Sequence, residues 1–113
     1  MAREPAAESI EVQLKKGALD LCVLALLSRQ ESYAYEIAST LASAVGMGEG
    51  TIYPLMRRMQ NDGLVETHLM ESSSGPPRKY YRLTARGRAA LQAQKREWRS
   101  FVAAVDALLG DRE

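Results

Sequence analysis

Two sets of cationic and hydroxyl side chains, close together in the chain, carry the chemistry this sequence can do. Arg57 and Arg58 follow Thr51 and Tyr53 within the stretch from Gly50 to Gly63, and Arg78 and Lys79 stand within the stretch from Gly75 to Thr84. Arginine can bond a guanine edge bidentately, whereas lysine, hydroxyls and helix N-termini hold phosphates and set register. Such a set grips a polyanion; it does not break bonds. The one histidine, His68, falls in the middle of a strand pattern and is expected to be an exposed strand residue. No Gly-rich phosphate loop precedes a helix with a lysine, and no metal-ligand cluster has the required spacing. Neither an enzyme nor a cofactor is expected.

The net charge of +1 hides an uneven distribution. Residues 1–49 carry four basic and seven acidic side chains, residues 50–96 nine and three, and residues 97–113 two and four. Between Ser72 and Arg96 there are seven Arg or Lys and no acid, a local patch that attracts phosphates although the whole molecule is near neutrality.

These residues need elements to hold them. A first helix is predicted from Ser9 to Arg29, with Ile10, Leu14, Ala18, Leu21 and Ala25 on one stripe and Leu19, Val23, Leu26 and Leu27 widening it. Gly17 inside that helix implies a close packing contact, since glycine costs about 1 kcal/mol against alanine there. Ser32 is the expected N-cap of a second helix that buries Tyr33, Ile37, Leu41 and Val45 and ends at Gly46. A third helix begins after Gly48 or at Thr51; Pro54 favours the later start, because a proline is tolerated where its missing N–H would be free. Ile52, Leu55, Met56 and Met59 then face inward, leaving Thr51, Tyr53, Arg57, Arg58, Gln60 and Asn61 open, and Asp62-Gly63 ends the helix.

Leu64 to Glu71 reads as one strand and Lys79 to Leu83 as its partner, joined by a Ser72 to Arg78 loop too long for a two-residue turn. The glycine and two prolines there limit further strand pairing, so the hairpin projects. Tyr80 and Tyr81 alternate sides of the strand, so at least one belongs to the core. Thr84 caps a last helix running to Leu109, although Gly87 denies it a full capping box. In that helix Leu91, Trp98, Phe101, Val105 and Leu108 fit a heptad seam with Gln94 as its polar member. A small domain has no core left to cover so long a seam, and a second copy packing across a two-fold axis would cover it.

The fold class expected is mainly α with a two-stranded β wing: a winged helix-turn-helix plus a long C-terminal dimerisation helix. Its parts are a flexible arm at 1–8, the DNA-binding domain at 9–83 and the dimerisation helix at 84–113. At 113 residues this is one domain. Cys22, the single cysteine, permits no intrachain disulfide or thiolate zinc cluster and is expected to be a small buried residue. The apolar run Leu21 to Leu27 is far short of the roughly 20 residues a bilayer span requires, and Met1 to Pro5 lacks a secretory pattern, so a cytoplasmic location is expected. A winged helix that only docks proteins is the competing reading, but it would not need cations on both helix and wing tip.

The chain resembles the PadR family of bacterial transcriptional regulators, in particular its small subfamily with a single C-terminal dimerisation helix. The matching stretches are Leu14 to Leu19, Tyr33-Ala34-Tyr35-Glu36-Ile37, Gly50-Thr51-Ile52-Tyr53-Pro54-Leu55, Asp62-Gly63-Leu64-Val65, Gly75 to Thr84, and Gly87. The resemblance implies a homodimeric repressor that binds an inverted repeat of double-stranded DNA and is released by a small molecule or another signal. Carried onto this sequence, it makes Thr51, Tyr53, Arg57 and Arg58 helix contacts, Arg78 and Lys79 wing contacts, and Tyr35 a phosphate donor.

Some multidrug-sensing members hold planar aromatic or cationic ligands in an apolar pore at the dimer centre, between a tryptophan from each subunit. Trp98 stands at that position, and the matching lining is Leu14, Ala18, Leu21, Gln94 and Val102. Large aromatic faces suit flat molecules and positive charge. Val102 replaces an acid that a drug-binding member can carry, and Asp20, two residues off the matched stripe, is expected to face elsewhere; both weaken the case for a cation preference.

Overall fold

A computed structural model describes residues 14, 15 and 17–110. The 1–8 arm and the predicted helix start at Ser9 lie outside the described residues. The first described helix, α1, is Leu19–Arg29, because Gly17 and Ala18 form a turn that interrupts the predicted run. The close packing expected at Gly17 is not seen among the described residues, where a Cβ there would meet only the Leu14 carbonyl, at 3.9 Å. Glycine here breaks the helix, in keeping with its entropy cost in a helix interior.

After α1 come β1 (Ser32–Tyr33), α2 (Ala34–Val45), α3 (Glu49–Asn61), β2 (Val65–Ser72), β3 (Gly75–Leu83) and α4 (Ala85–Leu109). The predicted two-stranded wing is the larger part of a three-stranded antiparallel sheet of order β1-β3-β2. Ser32 is not the cap of α2; it belongs to β1, opposite Tyr81, and is almost wholly buried. Tyr33 takes the N-cap position, and its N–H donates to the Glu36 carboxylate at 3.3 Å. Gly46 closes α2 in the left-handed region at φ 70°, where its N–H reaches Ala42 O while the N–H of Met47 reaches Leu41 O.

α3 takes the earlier of its two possible starts. Gly48 is its N-cap, and the Thr51 N–H bonds the Gly48 carbonyl at 3.1 Å. Pro54 therefore lies past the first turn and withholds an N–H from Gly50, whose surroundings are open space. The inward residues Ile52, Leu55, Met56 and Met59 are all buried as predicted, together with Val23, Leu24 and Leu27 of α1 and Ile37, Ala38 and Leu41 of α2. Val45 and Tyr33 are only partly buried. Val65, Tyr81, Leu83 and Leu91 close the core from the sheet and α4.

The predicted loop between the wing strands is a two-residue turn, Ser73-Ser74, with Ser72 paired to Gly75. The register slips between the Met70–Arg78 and Ser72–Gly75 pairs, so that Pro76 and Pro77 oppose Glu71 alone. This bulge takes up the two residues that have no N–H to give, and β1 reaches only Tyr80 and Tyr81, so no ladder bond is demanded of them on the other side.

Thr84 starts α4 as predicted: its Oγ1 accepts from the Gly87 N–H at 3.0 Å and donates to the Gly63 carbonyl at 2.7 Å. Gly87 presses so close to the β2 entrance that an added Cβ would lie 2.1 Å from the Leu64 carbonyl oxygen. From this clamp α4 extends for 25 residues, about 37 Å, alongside α1, which gives the molecule its 54 Å long axis.

Candidate nucleic-acid interface and central groove

Packing alone decides which side chains of α3 are offered outward. Its inner stripe is fully committed to the core, which leaves Thr51, Tyr53, Arg57, Arg58, Gln60 and Asn61 on the opposite face, all exposed. Arg57 makes no hydrogen bond or ion pair with any described residue, so its five donors are available. Arg58 is different. Its Nη2 donates to Asp20 Oδ1 of α1 at 2.7 Å, and its Nη1 lies 3.6 Å from Asp62 one turn on. The Asp20 hydrogen bond, then the Asp20 charge, hold this guanidinium above its ordinary pKa.

The hairpin supplies the second set. Lys79 is exposed opposite Leu69 of β2. Arg78 lies over the Tyr33 ring, 4.6 Å from its centroid, and Tyr33 in turn meets Tyr80 edge-on at 5.4 Å. A cation over an aromatic face in partly exposed surroundings is worth about 0.5–1 kcal/mol, enough to bias the arginine's position without immobilising it. Two residues beyond Tyr33, Tyr35 stands in the first turn of α2 and is 60% exposed.

His68 is not the exposed strand residue expected of it. Its Nε2 lies 2.6 Å from Glu31 Oε1 and it is partly buried, while Arg82 bridges Glu66 at 2.9 Å and approaches Glu31 at 3.9 Å. These pairs tie the base of the wing to the α1–β1 connection, a partnership across 37 residues that no local pattern signals. Among the described residues no group of three or more His, Cys, Asp or Glu could hold a metal ion, and no helix is long and apolar enough to cross a membrane.

α1 and α4 flank a groove of about 980 Å³. Leu14, Leu21, Gln94, Trp98 and Val102 line it as predicted, with Phe101 and Val105; Ala18 is not among its lining residues. Gly17, three residues on from Leu14, and Asp20, beside Leu21, stand on the wall instead. The expectation that Asp20 faces elsewhere is thereby corrected, for with Glu97 and Asp106 it puts three carboxylates, and no base among the described residues, on the lining. Trp98 is 44% exposed, Phe101 64% and Leu108 88%, so much of the predicted seam is uncovered in a single copy, with Leu91 buried and Gln94 and Val105 partly so.

Known proteins share this arrangement. The family model for the transcriptional regulator PadR-like family matches residues 23–93. A PadR-like transcriptional regulator from Bacillus cereus superposes with a TM-score of 0.80 at 39% identity, covering 88% of this chain and 99% of that one. A PadR family transcriptional regulator from Eggerthella lenta gives 0.77 at 33% identity, covering 89% of each chain. An uncharacterized protein of Lysinibacillus sphaericus is 30% identical over 95 residues, 80% of this chain and 87% of that protein.

Proposed function

The chain belongs to the transcriptional regulator PadR-like family, and from that premise we propose that it is a cytoplasmic, homodimeric, ligand-responsive repressor acting on an inverted-repeat operator. The observation that carries this reading is the outer face of α3: Thr51, Tyr53 and an unpaired Arg57 stand exposed above a fully buried inner stripe, on the same molecule as a projecting hairpin with Arg78 and Lys79. Arg57 is the base reader, bidentate to a guanine edge in the major groove. Thr51, Tyr53, Tyr35, Arg78 and Lys79 hold phosphates and fix register. Arg58 reaches DNA only by leaving Asp20 or by sharing its guanidinium.

The uncovered α4 seam supports the dimer. Two copies packed through Trp98, Phe101 and Leu108 remove that apolar surface from water and set two α3 helices toward half-sites about one helical turn apart. The same packing would enclose the groove between paired Trp98 rings, where a flat aromatic ligand stacks. Release follows if the ligand favours a dimer whose half-site spacing no longer fits the operator.

DNase footprinting of the purified protein on DNA flanking its own gene, repeated with flat aromatic compounds, tests this reading. Protection of two half-sites related by a dyad and lost with ligand is expected; no protected region on any flanking sequence would refute it.

A further inference from the structure

The groove wall and the reading helix share one side chain. Asp20, in the first turn of α1, lines the groove beside Leu21 and Trp98, and the same carboxylate accepts the 2.7 Å hydrogen bond from Arg58 of α3. Arg58 is the residue next to the proposed base reader, and through Asp20 it ties the outer face of α3 to α1. It also has a second seat on its own helix, since Asp62 already lies 3.6 Å from its other terminal nitrogen. Arg58 thus has two acceptors within reach, Asp20 on α1 and Asp62 along α3.

We propose that Asp20 couples the groove to DNA binding: a cationic ligand in the groove pairs with Asp20, Arg58 withdraws to Asp62, and α3, no longer tied to α1, loses affinity for DNA. This rests on the proposed reading of the groove as a ligand site and adds the route by which occupancy is felt. The carboxylates of Asp20, Glu97 and Asp106 on the wall suit a cation, and the Trp98 face attracts positive charge. The half-exposed Asp20–Arg58 pair is weak enough to be exchanged; pairs of this kind change an equilibrium by up to about fivefold each. Competition for one carboxylate supplies the differential affinity between two states without which a ligand shifts nothing. Asp20 is a positioning residue here, acting on DNA only through Arg58.

The test uses the full-length dimer, a fluorescent operator duplex and N-methylquinolinium as the flat cation, with quinoline as its neutral counterpart. Trp98 quenching reads binding to the groove, operator anisotropy reads release, and the Arg58 Nε–H signal in a nitrogen-15 spectrum reads the pair. For wild type, the cation should quench Trp98, shift the Arg58 signal and lower DNA affinity by up to about 25-fold for two pairs, whereas quinoline should quench without release. Asp20→Asn should place the Arg58 signal and the DNA affinity near the ligand-saturated wild-type values, still quench, and respond no further. If Asp20→Asn releases DNA with the cation as wild type does, or if quinoline releases as well as the cation, the coupling is refuted while the groove reading stands. If neither compound quenches wild type, the groove reading fails and the coupling with it.

Discussion

The guanidinium of Arg78 rests 4.6 Å from the centre of the Tyr33 ring, so the cation at the wing is seated on the residue that opens α2. The wing and the helix-turn-helix are therefore joined by a contact that lets Arg78 stay charged and partly exposed. Replacing Tyr33 by leucine should weaken operator binding by up to about fivefold, the value of one exposed cation–π contact, and leave the slope of log K against log salt unchanged. Arg78→Ala should weaken binding further and reduce that slope by about one per subunit. Equal slopes for Arg78→Ala and wild type would remove Arg78 from the phosphate contacts.

Gly87 permits a prediction of sign. Glycine to alanine in a helix ordinarily stabilises by about 1 kcal/mol, but here the added methyl would lie 2.1 Å from the Leu64 carbonyl oxygen, against backbone that cannot step aside. Gly87→Ala should destabilise by about 1–3 kcal/mol, the usual cost of overpacking. A urea midpoint equal to or above that of wild type would show that α4 can shift away from β2.

The α4 seam should govern assembly. Phe101→Glu, with Phe101 64% exposed in one copy, should place a charge in an apolar interface and shift sedimentation equilibrium toward monomer, with weaker operator binding as a consequence. Circular dichroism should stay native, because Phe101 is no part of the buried core. An unchanged dimer would locate the interface elsewhere on the chain.

Cys22 is partly buried, and desolvation pushes its thiol above the ordinary range, so it stays neutral at physiological pH. Its alkylation by iodoacetamide should be slower than that of a free thiol and should accelerate when urea unfolds the chain. Equal rates in both states would mean that the α1 surface around Cys22 opens readily.

Much of this was legible in the residues. The 3.6-residue spacing of Ile52, Leu55, Met56 and Met59 selects the buried face of α3 and hence its open face, and Thr84 and Gly63 mark element ends because their chemistry is local. Features that depend on distant partners were not legible. β1 consists of only two residues, and it exists because Ser32 and Tyr33 meet Tyr81 and Tyr80 some 48 residues on. The seat of His68 at Glu31 and that of Arg58 at Asp20 leave no periodic trace either. Asp20 on the groove wall was not legible either, because an apolar stripe passes over a carboxylate whose partner, Arg58, is 38 residues away. In the hairpin, the prolines have no N–H for the ladder, and a bulge accommodates them within the strand.

The most direct test of the central claim, that α3 reads DNA through Arg57, is an anisotropy titration of wild type and Arg57→Ala against a duplex carrying the footprinted inverted repeat, over a range of salt. Saturable binding should weaken steeply as salt rises, and Arg57→Ala should lose about 1–3 kcal/mol per half-site together with discrimination against a changed guanine. Binding that is insensitive to salt, or an Arg57→Ala variant with wild-type affinity and specificity, would contradict it.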